Sequence, residues 1–348
     1  MSLLIIQIPC LNEEATLPVT VADLPRSIEG VDRIELLIID DGSTDRTVEV
    51  ARELGVHHLV RFPRNRGLAA AFRAGLDACV RLGADYIVNT DGDNQYSGSA
   101  IPALVRPVVA GEADVVIGDR KTAGIAHFSW TKKRLQSFGS WVVRQFSGTE
   151  VPDATSGFRC WSREAAMRMN LVNEYTYTLE SIIQAGHVGM KIESVQVSTN
   201  EKLRESRLIS SIRTYVSRSA VTILRSYLLY KPFRSFLTLG LFSFAGGLAL
   251  GLRFLWFYSQ GQGGGHIQSV ILSAALLVIG VQLGMMALLA DLVAANRKLT
   301  EEGLVRLRRI EASSTCSPAD QPSVRLNAGS FERSPQPQGV DTLTPGVP

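Results

Sequence analysis

The sequence predicts an α/β domain built on a doubly wound parallel sheet, followed by two membrane-spanning helices. Three observations predict it. Short β-branched apolar runs alternate with helix-length stretches between residues 3 and 117. Polar clusters recur at the ends of those runs. Two apolar segments, residues 236–258 and 267–289, are each long enough to supply the roughly 20 helical residues that cross a hydrocarbon core.

Residues 3–8 form a continuous apolar run bounded by Pro9, the pattern of a strand buried on both faces. A helix is expected from about Glu13. The run at 34–39 ends in Asp40-Asp41-Gly42, after which Ser43 or Thr44 can cap a helix that passes through Leu54 and stops at Gly55. Residues 58–62 read as the third strand, and a helix follows Gly67 and ends at Gly83. Residues 85–90 give a fourth strand, 99–109 a helix and 113–117 a fifth strand. Such alternation implies right-handed crossovers, and sheets of this kind hold ligands at the carboxyl ends of their strands. Residues 9–14, Asp40-Asp41 and residues 91–95 all fall at that edge. No G-x-G-x-x-G follows the first strand and no G-x-x-x-x-G-K occurs, which argues against a dinucleotide fold.

Asp91 and Asp93 flank a single glycine. In an extended or turning chain, residues i and i+2 point the same way, so both carboxylates can converge on one hard cation, with Gln95 a third oxygen in step. A diphosphate would complete an octahedral shell. The same residue types also build ordinary polar turns. The coincidence of three polar clusters on one edge favours the metal site.

Composition narrows the function classes. Lys plus Arg number 36 against 33 Asp plus Glu, so a general nucleic-acid-binding surface is not indicated. Basic residues gather instead at 202–234 and 297–309, beside the apolar segments. Cys10, Cys79, Cys160 and Cys316 show neither C-x-x-C spacing nor neighbouring histidines, against a zinc site or disulfide framework. The first eight residues lack a basic flank and are too short for a signal peptide, so the N-terminal portion is expected in the cytoplasm.

From residue 119 to 207 the pattern loosens. Asp119-Arg120, Lys132-Lys133-Arg134, residues 153–159 and residues 204–207 supply cations and turn residues, read either as solvated basic surface or as ligands for a phosphate-bearing partner. Residues 208–228 place apolar groups at helical spacing with Arg213, Arg218 and Arg225 elsewhere, which suits an amphipathic helix on anionic lipid or one packed on its own domain. The connector 259–266 has no Lys or Arg, whereas Lys231 and Arg234 precede the first span and Arg297, Lys298 and Arg306 follow the second. By the positive-inside rule both termini are cytoplasmic in a multi-pass membrane protein. Arg253 lies near the outer end of its span, snorkelling to headgroups or meeting a lipid phosphate or subunit contact. Gly246, Gly247, Gly251, Gly280 and Gly284 leave room for close helix packing, within the chain or in a homo-oligomer. The expected division is 1–207 catalytic, 208–234 juxtamembrane, 235–292 spanning, 293–312 a basic helix, and 313–348 a disordered tail.

Taken in order, Pro9-Cys10-Leu11-Asn12-Glu13-Glu14, Asp40-Asp41-Gly42-Ser43, Asp91-Gly92-Asp93-Asn94-Gln95, Thr155-Ser156-Gly157-Phe158-Arg159 and Arg204-Glu205-Ser206-Arg207-Leu208 resemble the motifs of glycosyltransferase family 2. Within it, the chain is similar to dolichol-phosphate mannose synthases and bacterial membrane-anchored polyprenyl-phosphate glycosyltransferases, from residue 3 to about 310. The resemblance implies a GT-A (Rossmann-like) fold and an inverting, metal-dependent transfer of a sugar from a GDP- or UDP-linked donor to a polyprenyl phosphate. It implies that Pro9, Leu11 and Glu13 line the nucleoside site, with Asp41 near the base. Asp91, Asp93 and Gln95 would hold Mg²⁺ or Mn²⁺ against the diphosphate. Arg120, Lys133 or Arg134, Ser137 and Arg204 would meet the acceptor or donor phosphates, so catalysis is expected to rest on Asp93, Arg120 and Arg204. The family often carries a second arginine where Lys133 stands here, which leaves open which cation binds the acceptor phosphate.

An acceptor phosphate is already ionised at neutral pH, so no general base is required; the task is to bring two anions together. A processive polysaccharide synthase would typically carry a Q-x-x-R-W motif and more spans, and this sequence has neither. A non-catalytic sugar-nucleotide-binding protein is disfavoured by the intact carboxylate set.

Overall fold

The computed structural model describes residues 1–120, 144, 148–171, 177–200, 221, 225, 228, 231–261, 263–315, 326 and 327. Strands β1 (Leu3–Cys10), β2 (Arg33–Asp40), β3 (His58–Arg61), β4 (Tyr86–Asn89), β5 (Val115–Asp119), β6 (Arg159–Ser162), β7 (Ile192–Gln196) and the two-residue β8 (Leu326–Asn327) share one sheet, in the order β7-β5-β6-β4-β1-β2-β3-β8. β1 is parallel to β2 and β4, β2 to β3, β3 to β8, and β5 to β7. β6 is antiparallel to both its neighbours, β4 and β5. The sheet is therefore mixed, not wholly parallel. No strand is expected at β6, which is only four residues long and opens on an arginine.

Helices α1 (Leu17–Asp23), α2 (Thr47–Glu53), α3 (Leu68–Arg81), α4 (Ile101–Val109), α5 (Arg163–Arg168) and α6 (Tyr177–Val188) cover the sheet. Alternation along β1 divides its side chains between two cores. Ile5 joins Phe72, Leu76, Trp161 and Ile182, whereas Leu4, Ile6 and Ile8 join Leu17, Leu104 and Val105. Burial of β1 on both faces matches its unbroken apolar run.

Two helix starts fall later than the sequence suggests. Pro18 stands in the first turn of α1, and the preceding segment is a turn in which the Thr16 N–H donates to Glu13 O at 3.1 Å. Ser43 and Thr44 are committed to contacts with Asn12, so the Asp45 carboxylate instead accepts the Thr47 N–H at the start of α2, at 3.0 Å.

α7 (Pro232–Ser259) and α8 (Ile267–Thr315) are long and apolar enough to cross a membrane. They pack through small residues. A Cβ built on Gly280 would stand 2.9 Å from the Cβ of Phe244 and 3.0 Å from Gly240 O. Ser273 Oγ donates to Gly247 O at 2.6 Å, and Ser243 Oγ to Leu276 O at 2.8 Å. Leu239, Phe242, Leu252, Trp256, Leu288 and Leu289 face outward. The guanidinium of Arg253 lies 5.7 Å from the centre of the Phe257 ring. The second apolar segment and the basic helix after it form one continuous helix of 49 residues. Most of the amphipathic segment at 208–228 lies outside the described residues; Val221, Arg225 and Leu228 are helical and exposed.

Candidate active site

The loops at the carboxyl ends of β1, β2 and β4 are fastened to one another. β1 pairs with β4 only as far as Gln7 opposite Asn89, so Pro9 meets no donor requirement on that side. Asn12, in a left-handed conformation (φ 55°), donates its N–H to Ser43 Oγ at 2.9 Å and accepts the Thr44 N–H at 2.8 Å. The Glu13 N–H donates to Thr47 Oγ1 at 2.8 Å, and the buried Glu13 carboxylate accepts Thr16 Oγ1 at 2.6 Å. Leu11 is half-buried at the rim. Asp41 accepts the N–H groups of Arg66 at 2.7 Å and Gly67 at 2.9 Å. Burial outweighs those bonds and pushes its carboxyl above the ordinary value. These bonds make Asp41 the fastening of the β3–α3 loop.

After β4 the exposure of the chain alternates. Asp91, Asp93 and Gln95 are half-buried, while Gly92, Asn94 and Tyr96 are buried. The three oxygen-bearing side chains thus share one side of a turn in which Asn94 is left-handed (φ 54°). Asn200 braces that turn, its N–H donating to Gln95 O at 3.0 Å and its amide to Asn94 O at 3.1 Å. A side chain at Gly92 would be a tight fit: its Cβ would stand 3.1 Å from Cys10 Sγ and 3.4 Å from Glu13 Cγ. On the other side, a Cβ on Gly157 would meet Tyr177 Oη at 2.8 Å and the two Asp91 oxygens at 3.4 and 3.6 Å. Asn89 orders this junction by donating to Gly157 O at 2.8 Å and Tyr177 Oη at 3.0 Å, and by accepting from Gln7 at 3.0 Å.

An all-oxygen donor set of this kind fits a hard divalent cation such as Mg²⁺ or Mn²⁺. Among the described residues no group of three His, Cys, Asp or Glu side chains converges. Asp91, Asp93 and Gln95 are the side chains of this turn that could supply oxygens to such an ion.

Arg120 stands at the end of β5. Its Nε donates to Asp153 Oδ2 at 2.7 Å, and its Nη2 to Asp153 Oδ1 at 3.0 Å and Thr155 Oγ1 at 2.9 Å. Burial disfavours the charged guanidinium, but Tyr96, Asp153 and Asp91 outweigh it and raise the Arg120 pKa. Burial likewise pushes the Asp153 carboxyl up, and the Arg120 and Thr155 bonds more than offset this, leaving it below the ordinary value. Tyr96 stacks on Phe158 at 4.8 Å between ring centres and accepts the Gly157 N–H at 3.2 Å.

Arg159 departs from both sequence readings of its segment, being neither a solvated cation nor a phosphate ligand. It is fully buried and donates to Ser156 O, Ser181 Oγ, Ala154 O and Thr178 O at 2.6–3.1 Å. Burial pushes its pKa down to about 10. Asp153, Asn89, Tyr96 and Tyr177 were also missed by sequence reasoning, because each meets partners remote in the chain. Lys133, Arg134, Ser137 and Arg204 lie outside the described residues.

A family model described as "Glycosyl transferase family 2" matches residues 5–175. The undecaprenyl-phosphate mannosyltransferase of Micrococcus luteus is 28% identical over 230 residues, covering 63% of this chain and 91% of the relative. The dolichyl-phosphate hexose transferase of Haloferax volcanii is 30% identical over 203 residues, covering 57% and 82%. Among solved structures, glucosyl-3-phosphoglycerate synthase from Mycobacterium tuberculosis, in complex with Mn²⁺, UDP-glucose and phosphoglyceric acid, superposes with a TM-score of 0.51 at 19% identity, covering 65% of this chain and 79% of that one. At that identity the likeness is one of fold, and the fold is GT-A.

Proposed function

Because this chain belongs to glycosyl transferase family 2, we propose that it transfers a hexose, with inversion, from a GDP- or UDP-linked donor to a polyprenyl phosphate in the membrane. One observation carries this reading. A carboxylate turn suited to a metal-bound diphosphate and a charged, immobilised arginine meet at one sheet edge, on a chain that continues into two helices able to cross a bilayer. Relatives named for undecaprenyl and dolichyl phosphates support the lipid acceptor.

In this reading Pro9, Leu11 and Glu13 border the nucleoside, with Asp41 behind them holding the adjoining loop. Asp91, Asp93 and Gln95 hold Mg²⁺ or Mn²⁺, which supplies positive charge against the leaving diphosphate. Arg120, fixed by Asp153, adds a second positive charge, and Lys133, Arg134, Ser137 and Arg204 complete the phosphate sites. The acceptor oxygen attacks the anomeric carbon in line with the departing diphosphate. The basic flanks of the two spans support a cytoplasmic position for the catalytic domain and both ends of the chain.

A donor panel of GDP- and UDP-hexoses, incubated with vesicle-borne polyprenyl phosphate and Mg²⁺ or Mn²⁺, tests the reading. Mass spectrometry is expected to find one polyprenyl-phosphate hexose, with nucleoside diphosphate released only when acceptor and metal are both present. Failure to form a glycosylated lipid from any donor would overturn it.

A further inference from the structure

α8 does not stop where its apolar stretch stops. Its 49 residues amount to about 74 Å of helix at 1.5 Å per residue, whereas a hydrocarbon core takes up about 30 Å. The remainder runs against the catalytic domain. Arg308 donates from Nη1 to Met167 O at 2.7 Å and Met169 O at 2.9 Å, and its Nη2 lies 3.3 Å from Asp77 Oδ1 on α3. Met167 and Met169 close α5, where carbonyls lack helical partners and the dipole is negative, so the guanidinium acts as a C-terminal cap supplied by a distant helix. Arg309 adds a bond to Glu164 on α5 at 2.6 Å, and Glu311 lies 3.8 Å from Arg81 on α3.

We propose that the post-membrane part of α8 is a strut fixing the pose of the catalytic domain over the bilayer, with Arg308 as a positioning residue for transfer to a lipid-borne acceptor. The proposal rests on the polyprenyl-phosphate reading above for its substrate, but not for the docking itself. A domain joined to its anchor at one point can tilt. A second attachment through an unbroken helix removes that freedom, and misplacement of reacting groups by about 1 Å can cost on the order of 100-fold in rate. An acceptor whose phosphate is confined to the headgroup plane cannot follow a tilting site, whereas a soluble one can.

Two independent variants test this in the full-length protein. Arg308→Glu sets a carboxylate against Asp77 and two carbonyls. Gly303→Pro interrupts α8 between span and dock; a Cβ on Gly303 would meet nothing within 4 Å, so Gly303→Ala is the control. For each, kcat/KM is measured with vesicle-borne long-chain polyprenyl phosphate and with a short, water-soluble isoprenyl phosphate, alongside amide hydrogen exchange of α3 and α5. Both disruptive variants are expected to lose about tenfold or more on the vesicle-borne acceptor, to keep their activity on the soluble one, and to exchange faster in α5. Equal losses on both acceptors, or full activity on vesicles despite faster exchange, would overturn the positioning role. Unchanged exchange in Arg308→Glu would overturn the docking. If the unaltered protein used neither acceptor, the functional reading would have failed, while exchange would still decide the docking.

Discussion

Asp93→Ala is expected to lower turnover at least about 100-fold, the order lost when one preorganised charge-stabilising group is removed. Membrane insertion should persist, while Mn²⁺ binding, followed by electron paramagnetic resonance, should be lost; full activity with metal titrated would remove Asp93 from the metal set. Gly157→Ala probes the same spot from the opposite wall. Its Cβ would meet Tyr177 Oη at 2.8 Å, and Tyr177 cannot swing aside because its ring stacks on Phe72 at 3.8 Å. A cost of about 1–3 kcal/mol in urea unfolding is expected, together with reduced activity as Asp91 is displaced. Asp153→Ala would leave the largely buried Arg120 charge with Thr155 Oγ1 but no carboxylate partner, at about 3–5 kcal/mol. Asp153 is held below its ordinary value, so its stabilisation is complete above about pH 4 and fades as pH falls through the lowered value. Asp153→Asn should therefore flatten the acid limb of a stability–pH profile. The place of Asp91, Asp93 and Gln95 in a turn after β4 was legible from spacing and the strand end, whereas Arg120 was singled out through the family resemblance. Asp153 was not legible, since its partner lies 33 residues away, and a buried arginine with neutral acceptors, such as Arg159, reads as a surface cation until its surroundings are known.

At the level of elements, apolar runs identified β1 to β5 and both long helices, because burial on two faces and a span-length apolar stretch each leave a compositional mark. Helix starts were misjudged where side chains that could cap a helix hold a neighbouring loop instead, as Ser43 and Thr44 do. β6 was missed altogether. Its hydrogen bonds are to β4 and β5, and nothing local to residues 159–162 signals them. The α7–α8 contact was anticipated only as a set of glycines. Gly280→Leu should force the two helices apart, because a Cβ alone would already stand 2.9 Å from the backbone nitrogen of Phe244. Faster thermal inactivation in bilayers, with the catalytic loops unaltered in nucleotide binding, is the expected result.

On the scale of the whole molecule, the proposed function assigns the sugar donor to the catalytic domain and the lipid acceptor to the helical hairpin. A chain ended near residue 230 is expected to bind nucleotide sugar, as measured by calorimetry, yet to transfer poorly to acceptor embedded in a bilayer; equal transfer would deny the hairpin any part in delivery. The reversed strand has a geometric consequence for that chemistry. With β6 lying between β4 and β5, the ends of those two strands stand about 9.6 Å apart, two strand spacings instead of one. The carboxylate turn leaves from one of them and Arg120 from the other, and residues 153–158 lead into β6 between them. Sheet order thus sets the gauge of the candidate site: one intervening strand separates the turn that carries Asp91 and Asp93 from the strand end that carries the Arg120 guanidinium.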